Sequence, residues 1–157
     1  MDQEQAISAY WDEFLASSSG EHPSPTNYQA WSFGRSKEAA DELGKLVREG
    51  KKTATASLVW SYDAELERLP QPGDYNLILD GEGNPLCITQ TTSVEILPFG
   101  EVSAEHARLE GEGDLSLNFW REVHWHFFVE ECAGLGREPD PGMPVCCERF
   151  QRCYPHR

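Results

Sequence analysis

Residues 75–97 hold the feature that most restricts how this chain can fold. The apolar run Tyr75-Asn76-Leu77-Ile78-Leu79 is followed by Asp80-Gly81-Glu82-Gly83-Asn84. A second β-prone stretch over 86–97, containing Thr89-Gln90-Thr91-Thr92, comes next. Apolar segments on either side of a short Gly/Asp/Asn cluster read as an antiparallel hairpin. Pro70, Pro72 and Gly73 mark the turn that leads into it. The stretch over 86–97 is long enough for one strand or two. Residues 53–60, rich in Thr, Ala, Leu, Val and Trp, and residues 143–154 read as further strands.

Helical patterns precede and interrupt these strands. Ile7, Tyr10, Trp11, Phe14 and Leu15 recur at helical spacing and predict a helix over 3–17. A Ser/Gly/Pro linker with Pro23 and Pro25 follows over roughly 17–27, and Tyr28, Trp31, Ser32 and Phe33 lead to a turn at Gly34. Ser36 caps a helix over 37–49 with Ala40, Leu43, Leu46 and Val47 on one face, and Gly50 stops it. A short helix spans Ser103 to Leu109. Another spans about 115–131, with Asp114 as its cap and Leu115, Phe119, Trp120, Val123 and Phe127 as its apolar side. The expected fold class is α+β, a small twisted β-barrel flanked by helices, because closing a sheet of short strands removes its edges. The 157 residues divide into an N-terminal helix and linker, 1–27, and one main domain, 28–157.

Acids outnumber bases by 27 to 13, a net charge of −14, which argues against a broad phosphate-binding surface. A small pocket gripping one or a few nucleotides remains compatible with that charge. The five cysteines, Cys87, Cys132, Cys146, Cys147 and Cys153, include no Cys-x-x-Cys pair, so reduced thiols are expected rather than disulfides or zinc. The acidic start Met1-Asp2-Gln3-Glu4 has no signal-peptide character and no segment is long enough to span a membrane. A cytoplasmic protein without a membrane partner is expected.

Within this acidic chain, Arg48-Glu49-Gly50-Lys51-Lys52-Thr53-Ala54-Thr55-Ala56-Ser57 concentrates cations and hydroxyls. It reads either as a dipole-capped helix end followed by a polar strand, or as an anion or nucleotide pocket centred on a lysine. Lys52 becomes a base or nucleophile only if burial or a second cation lowers its pKa, and Lys51 and Arg48 are near in sequence. Thr53, Thr55 and Ser57 share one strand face. Glu110, Glu112 and Asp114 alternate with glycines; one carboxylate suits acid–base work, and three together suit a hard cation such as Mg2+ or Mn2+. Ser116 can cap a helix or contact a phosphate. His124 and His126, two apart, diverge, with His124 expected toward a cleft beside Trp120. Trp31, Phe33, Trp60 and Trp120 are the candidates for base stacking.

Gly50-Lys51-Lys52-Thr53-Ala54-Thr55-Ala56-Ser57 resembles the Gly-x-Lys-x-x-Thr-x-[Arg/Ser] signature of ASCH domains, which are PUA-like in fold. Phe33-Gly34, Ala40-Asp41-Glu42-Leu43, Pro72-Gly73-Asp74-Tyr75, Glu110 to Asp114, Leu117 with Trp120-Arg121, His124, and Val145 to Tyr154 resemble the longer bacterial branch of that family. Arg35 departs from the acid expected there. The resemblance, over roughly 28–154, implies a barrel of five or six strands with a cleft beside its helices, and action on RNA or nucleosides. Its branches imply a ribonuclease on single-stranded RNA, stimulated by a divalent cation, or an amidohydrolase on N4-acetylcytidine-type nucleosides. The third reading is a non-catalytic RNA-binding module. Motif position assigns the catalytic roles to Lys52, Thr55 and Glu110. Lys51, Thr53, Ser57, Trp31, Phe33, Trp60, Ser116, Trp120, Arg121 and His124 are the expected substrate contacts, and Glu112 and Asp114 the expected metal ligands.

Overall fold

The computed structural model describes residues 2–17 and 27–156. In chain order the elements are α1 (Gln3–Ser17), β1 (Gln29–Trp31), α2 (Lys37–Arg48), β2 (Ala54–Leu58), α3 (Val59–Glu65), β3 (Tyr75–Leu79), β4 (Pro85–Pro98), α4 (Ala104–Leu109), α5 (Leu117–Leu135) and β5 (Pro144–Tyr154). A 3-10 turn, Phe99–Glu101, follows β4. The linker expected at about 17–27 lies, apart from its two ends, outside the described residues.

The five strands form one sheet in the order β1-β3-β4-β5-β2. The hairpin predicted around Asp80–Asn84 joins β3 to β4, and Asp80 Oδ1 accepts from the amides of Glu82 and Asn84 within the turn. Every pairing is antiparallel except that of β1 with β3. The sheet curls into a half-barrel, and no ladder joins its edge strands, β1 and β2, among the described residues. A closed barrel, as expected from the sequence, is therefore not what the strand pairing gives. The open seam between the two edges is where the candidate site lies.

Two elements differ from the sequence reading. The apolar run over 53–60 ends as a strand at Leu58, and Val59 begins α3, which packs on α5 and β5. The short strand β1 carries no apolar alternation, because two of its three residues are exposed. The single strand β4 covers the whole of 86–97 and bends through register shifts at Ile88/Thr89 and Thr91/Ser93, which is how a bulge tightens a sheet. Ser36 caps α2 as expected, accepting from the Ala39 amide. For α5 the cap is Ser116, not Asp114, which instead accepts from the Ser116 amide.

Three apolar clusters flank the sheet. The helix α1 buries Trp11 and Phe14 against Leu77, Leu79 and Ile88, and α5 buries Trp120, Phe128 and Cys132 with Leu58, Met143 and Val145. The third cluster, Phe33, Val47, Ile78, Cys87 and Phe150, joins α2 and the loop after β1 to the sheet. Each of these large side chains, fully buried, contributes about 1.5–3 kcal/mol relative to exposure. All five cysteines are free, and burial pushes the Cys87 and Cys147 thiols up to about 12. Among the described residues no helix is long and apolar enough to cross a membrane.

Candidate functional site

Lys52 is placed by the way α2 ends. The Leu46 carbonyl accepts from both the Lys51 and Lys52 amides, wrapping the chain around the helix terminus. Next, the Thr53 amide donates to Leu109 O at 2.8 Å, which ties the start of β2 to the end of α4. Glu110 is the first residue past α4. Two residues from opposite halves of the chain are thereby set side by side, and both have only 1 % of their side chain exposed. Gly111, at φ +72°, continues over Lys51 and Lys52, where any Cβ would collide with the Lys51 carbonyl.

The Lys52 ammonium has three protons and three acceptors: Glu110 Oε1 at 3.2 Å, Glu110 O at 3.3 Å and Glu112 Oε2 at 2.8 Å. The second cation considered from sequence is not among its partners. Lys51 faces outward and pairs with Glu49 at 3.6 Å, and the Arg48 carbonyl accepts from the Arg152 guanidinium.

Glu110 takes hydrogen bonds on both oxygens. Oε1 accepts from Lys52, and Oε2 accepts from His106 Nε2 at 2.8 Å and from Trp120 Nε1 at 2.5 Å. His124 Nε2 lies 3.4 Å from Oε1. Burial would raise its pKa, but Lys52, His106 and His124 outweigh burial and hold it well below the ordinary carboxylate range. His124 Nδ1 donates to Trp120 O at 2.9 Å, and its ring stacks on Trp120 at 4.3 Å between centroids. That fixes Nδ1 as protonated and aims Nε2 at the carboxylate.

Two contiguous cavities open from this cluster along the seam. One, of about 560 Å3, is lined by Lys52, Glu110, Glu112, His124, Phe119 and Phe33 among others. The second, of about 650 Å3, lies between the edge strands and is lined by Trp31, Ser57, Tyr62, Asn76 and Glu148 among others. Phe33, Gly34, Thr55, Ala56 and Phe127 border both. Apart from Lys52, the basic groups lining them are Arg35 and Arg68, against Glu42, Glu110, Glu112 and Glu130 in the first and Glu67, Asp74, Glu131 and Glu148 in the second. Arg68 is itself held by both oxygens of Asp74, at 3.0 Å each.

The predicted site residues separate into two groups. Lys52, Thr55, Ser57, Glu110, Glu112, Trp31, Phe33 and His124 line the seam, with Ser57 Oγ 2.9 Å from Tyr62 OH. Trp120 is buried and holds Glu110, so it is a support for the carboxylate and not a stacking platform. Lys51, Thr53, Trp60, Ser116, Arg121 and Asp114 line neither cavity. Thr53 bonds to Leu109 O, Trp60 lies under the Arg137 guanidinium, Ser116 caps α5, and Arg121 donates to Gly100 O. Glu112 binds Lys52 while Asp114 binds the Ser116 amide, so the two expected metal ligands are engaged elsewhere. No group of three or more His, Cys, Asp or Glu side chains able to hold a metal ion occurs among the described residues. The exposed His126 lines neither cavity, and Arg35 clasps α5, pairing with Glu130 at 2.6 Å and lying 4.0 Å above the Phe127 ring.

His106 and Glu148 have no site role in the sequence reading. His106 and Glu110 are four apart at the end of one short helix, the spacing that brings side chains together. Glu148 is an acid within the buried apolar run Val145-Cys146-Cys147, which is a signal of its own.

A curled five-stranded sheet with a polar seam beside its helices is the PUA-like architecture. The family model for the ASCH domain matches residues 29–154, and the chain belongs to that family, which is generally thought to bind RNA. Among solved structures, an ASCH domain from Lactobacillus crispatus JV V101 is 33% identical, with a TM-score of 0.90 over 96% of this chain and 95% of that one. A protein from Enterococcus faecalis V583 is 38% identical, with a TM-score of 0.83 over 95% of this chain and 88% of that one. Among curated proteins none matches the chain.

Proposed function

We propose that the seam binds a neutral modified nucleoside and hydrolyses an amide on its base, with N4-acetylcytidine as the type substrate. The observation that carries this reading is the neutralisation of Lys52. A buried ammonium already paired with two carboxylates, in cavities whose other lining groups are mostly acidic, suits an uncharged ligand better than a phosphodiester chain. Like charges would repel a polyanion before it reached the lysine.

In this reading Glu110 holds the Lys52 ammonium in place. The substrate carbonyl oxygen takes the position of the Glu112 carboxylate on Lys52, whose ammonium then stabilises the negative charge that develops on that oxygen. Glu112, with 21% of its side chain exposed and bound to Lys52 alone among the described residues, is free to leave and act as base. It removes a proton from a water oriented by the Thr55 hydroxyl. That water adds to the acyl carbon. The tetrahedral intermediate expels the base amine, which takes the proton from Glu112, leaving cytidine and acetate.

Acetate release from N4-acetylcytidine, followed for the wild type, Lys52→Ala, Thr55→Val and Glu112→Gln, tests the reading. A fall of about 100-fold in each variant is expected from the loss of one acid–base or electrostatic group. No release by the wild type at high enzyme concentration sinks it. Lys52-dependent cleavage of single-stranded RNA in the same preparations would transfer the site to the ribonuclease reading.

A further inference from the structure

The second cavity contains a chain of hydrogen bonds whose direction is fixed by its first member. An indole nitrogen only donates, so Trp31 Nε1, 2.8 Å from Asn76 Oδ1, sets which end of the Asn76 side chain is oxygen. The opposite end, Nδ2, therefore donates to Thr91 Oγ1 at 3.4 Å, and the Thr91 hydroxyl places its one proton on Glu148 Oε2 at 2.5 Å. Asn76, Thr91 and Glu148 are all buried, Glu148 with 5% exposure. Thr91 is the one described hydrogen-bond partner of Glu148. Its other oxygen, Oε1, accepts no hydrogen bond from the described residues, and Glu148 lines the cavity between the edge strands. Cross-strand pairing with Thr55 puts it beside one of the residues that border both cavities.

No buried side-chain oxygen or nitrogen among the described residues lacks a partner, so Oε1 is open to the cavity, where an N–H of a bound ligand can take the place of water as its donor. Trp31, Phe33 and Tyr62 line the same cavity and offer aromatic surface to a planar heterocycle. Burial and the nearby Asp74 raise the pKa of Glu148 against the opposing Thr91 hydrogen bond, as befits a group whose shell is incomplete. We propose that Glu148 is a specificity-determining residue of the seam, whose open oxygen accepts an N–H from the base and so selects amino-bearing nucleobases over those with a carbonyl at that position. This rests on the nucleoside reading of the site above.

Cytidine and uridine differ in that way, an amino donor in one being a carbonyl acceptor in the other. Calorimetric titration of both nucleosides into the wild type, Glu148→Gln and Lys52→Ala tests the proposal, with acetate release from N4-acetylcytidine followed in parallel. The wild type is expected to prefer cytidine by roughly tenfold, since a hydrogen bond to a charged group is at stake. Glu148→Gln, whose amide both donates and accepts, is expected to compress the preference to within about threefold, while Lys52→Ala keeps it. Should Glu148→Gln fail to fold, Glu148→Asp retracts the carboxylate by one methylene and is expected to lose the preference as well. An unchanged preference in whichever of these two variants folds overturns the proposal and leaves the nucleoside reading intact. Absence of binding by either nucleoside, together with no acetate release, overturns both.

Discussion

Glu110 and Glu148 are two buried carboxylates on either side of Thr55, and the protein treats them differently. Glu110 has three hydrogen-bond donors, Lys52, His106 and Trp120, with His124 beside them; Glu148 has one among the described residues, Thr91. Burial opposes ionisation in both, yet one pKa is held down and the other pushed up. The difference lies in the surroundings alone, since the side chains are identical. A carboxylate completed by its own protein is a fixed charge that organises Lys52. A carboxylate left half complete is an acceptor waiting for a partner. The seam thus joins a preorganised end to a reading end.

The sharpest way to break this comparison is to neutralise each carboxylate without changing its shape. Glu110→Gln leaves Lys52 with only Glu112 for charge compensation, and breaking a buried pair in this way costs about 3–5 kcal/mol. Glu148→Gln keeps the Thr91 contact and relieves a buried charge, so a change within about 1 kcal/mol of wild type is expected, of either sign. Urea denaturation measures both. Equal losses in the two variants would show that the donor count does not separate them.

The next difference is in pH dependence, and its sign is opposite for the two residues. A glutamate titrates near 4.3 when unfolded. The folded-state pKa of Glu110 is lowered, so its contribution is present above that unfolded value and is lost as pH falls through the folded one. The folded-state pKa of Glu148 is raised, so its contribution is present below the unfolded value and is lost as pH rises through the folded one. Thermal midpoints measured from pH 3 to 8 should therefore flatten on the acid side in Glu110→Gln and above about pH 4.3 in Glu148→Gln. The same side flattening in both variants would contradict the assignment.

How much of this was legible in the sequence follows the same division. The Lys52 end was readable because its parts are local: a capped helix, a glycine stop, a lysine and alternating hydroxyls, with Glu110 reached through a motif. Its supports were less so. Trp120 looked like a stacking surface because an indole is a flat ring in sequence, and only burial reveals that its N–H is spent on Glu110. Asp114 looked like a cap and a metal ligand because spacing permits either; Ser116 is the cap, and Asp114 is held by the Ser116 amide. At the Glu148 end, Trp31, Phe33 and Ser57 were readable as candidate contacts, but Glu148 and the chain that holds it were not. Trp31, Asn76, Thr91 and Glu148 come from four different strands, and their contact depends on strand order, on the parallel β1–β3 pairing and on bulges in β4. The open seam has the same origin, since turn spacing predicts strands but not whether the last edge closes.

A smaller effect probes the hydrogen-bond chain itself. Trp31→Phe keeps a ring in the wall and removes the one donor that orients Asn76. The loss of a single hydrogen bond of this kind costs about 1 kcal/mol, and Asn76 becomes free to turn over. Stability should fall by about that amount, with the cytidine preference weakened and the acetate-releasing reaction reduced less than in any Lys52 variant. A preference unchanged in Trp31→Phe would mean that Thr91 alone fixes Glu148.

The smallest expected effect tests whether the Glu110 end depends on its rim. Arg35 pairs with Glu130 and Glu131 and lies over Phe127, yet 41% of its side chain is exposed. Solvent screens such pairs, so Arg35→Ala should cost no more than about 0.5–1 kcal/mol, part of it from the lost ring contact. Because neither the three donors to Glu110 nor His124 has a described contact with Arg35, the acid-side pH profile should keep its wild-type shape. A shifted acid limb in Arg35→Ala would mean that the clasp between the loop after β1 and α5 helps hold His124 and Trp120 in place. In that case the donor set of Glu110 would belong to the assembled rim and not to its immediate neighbours alone.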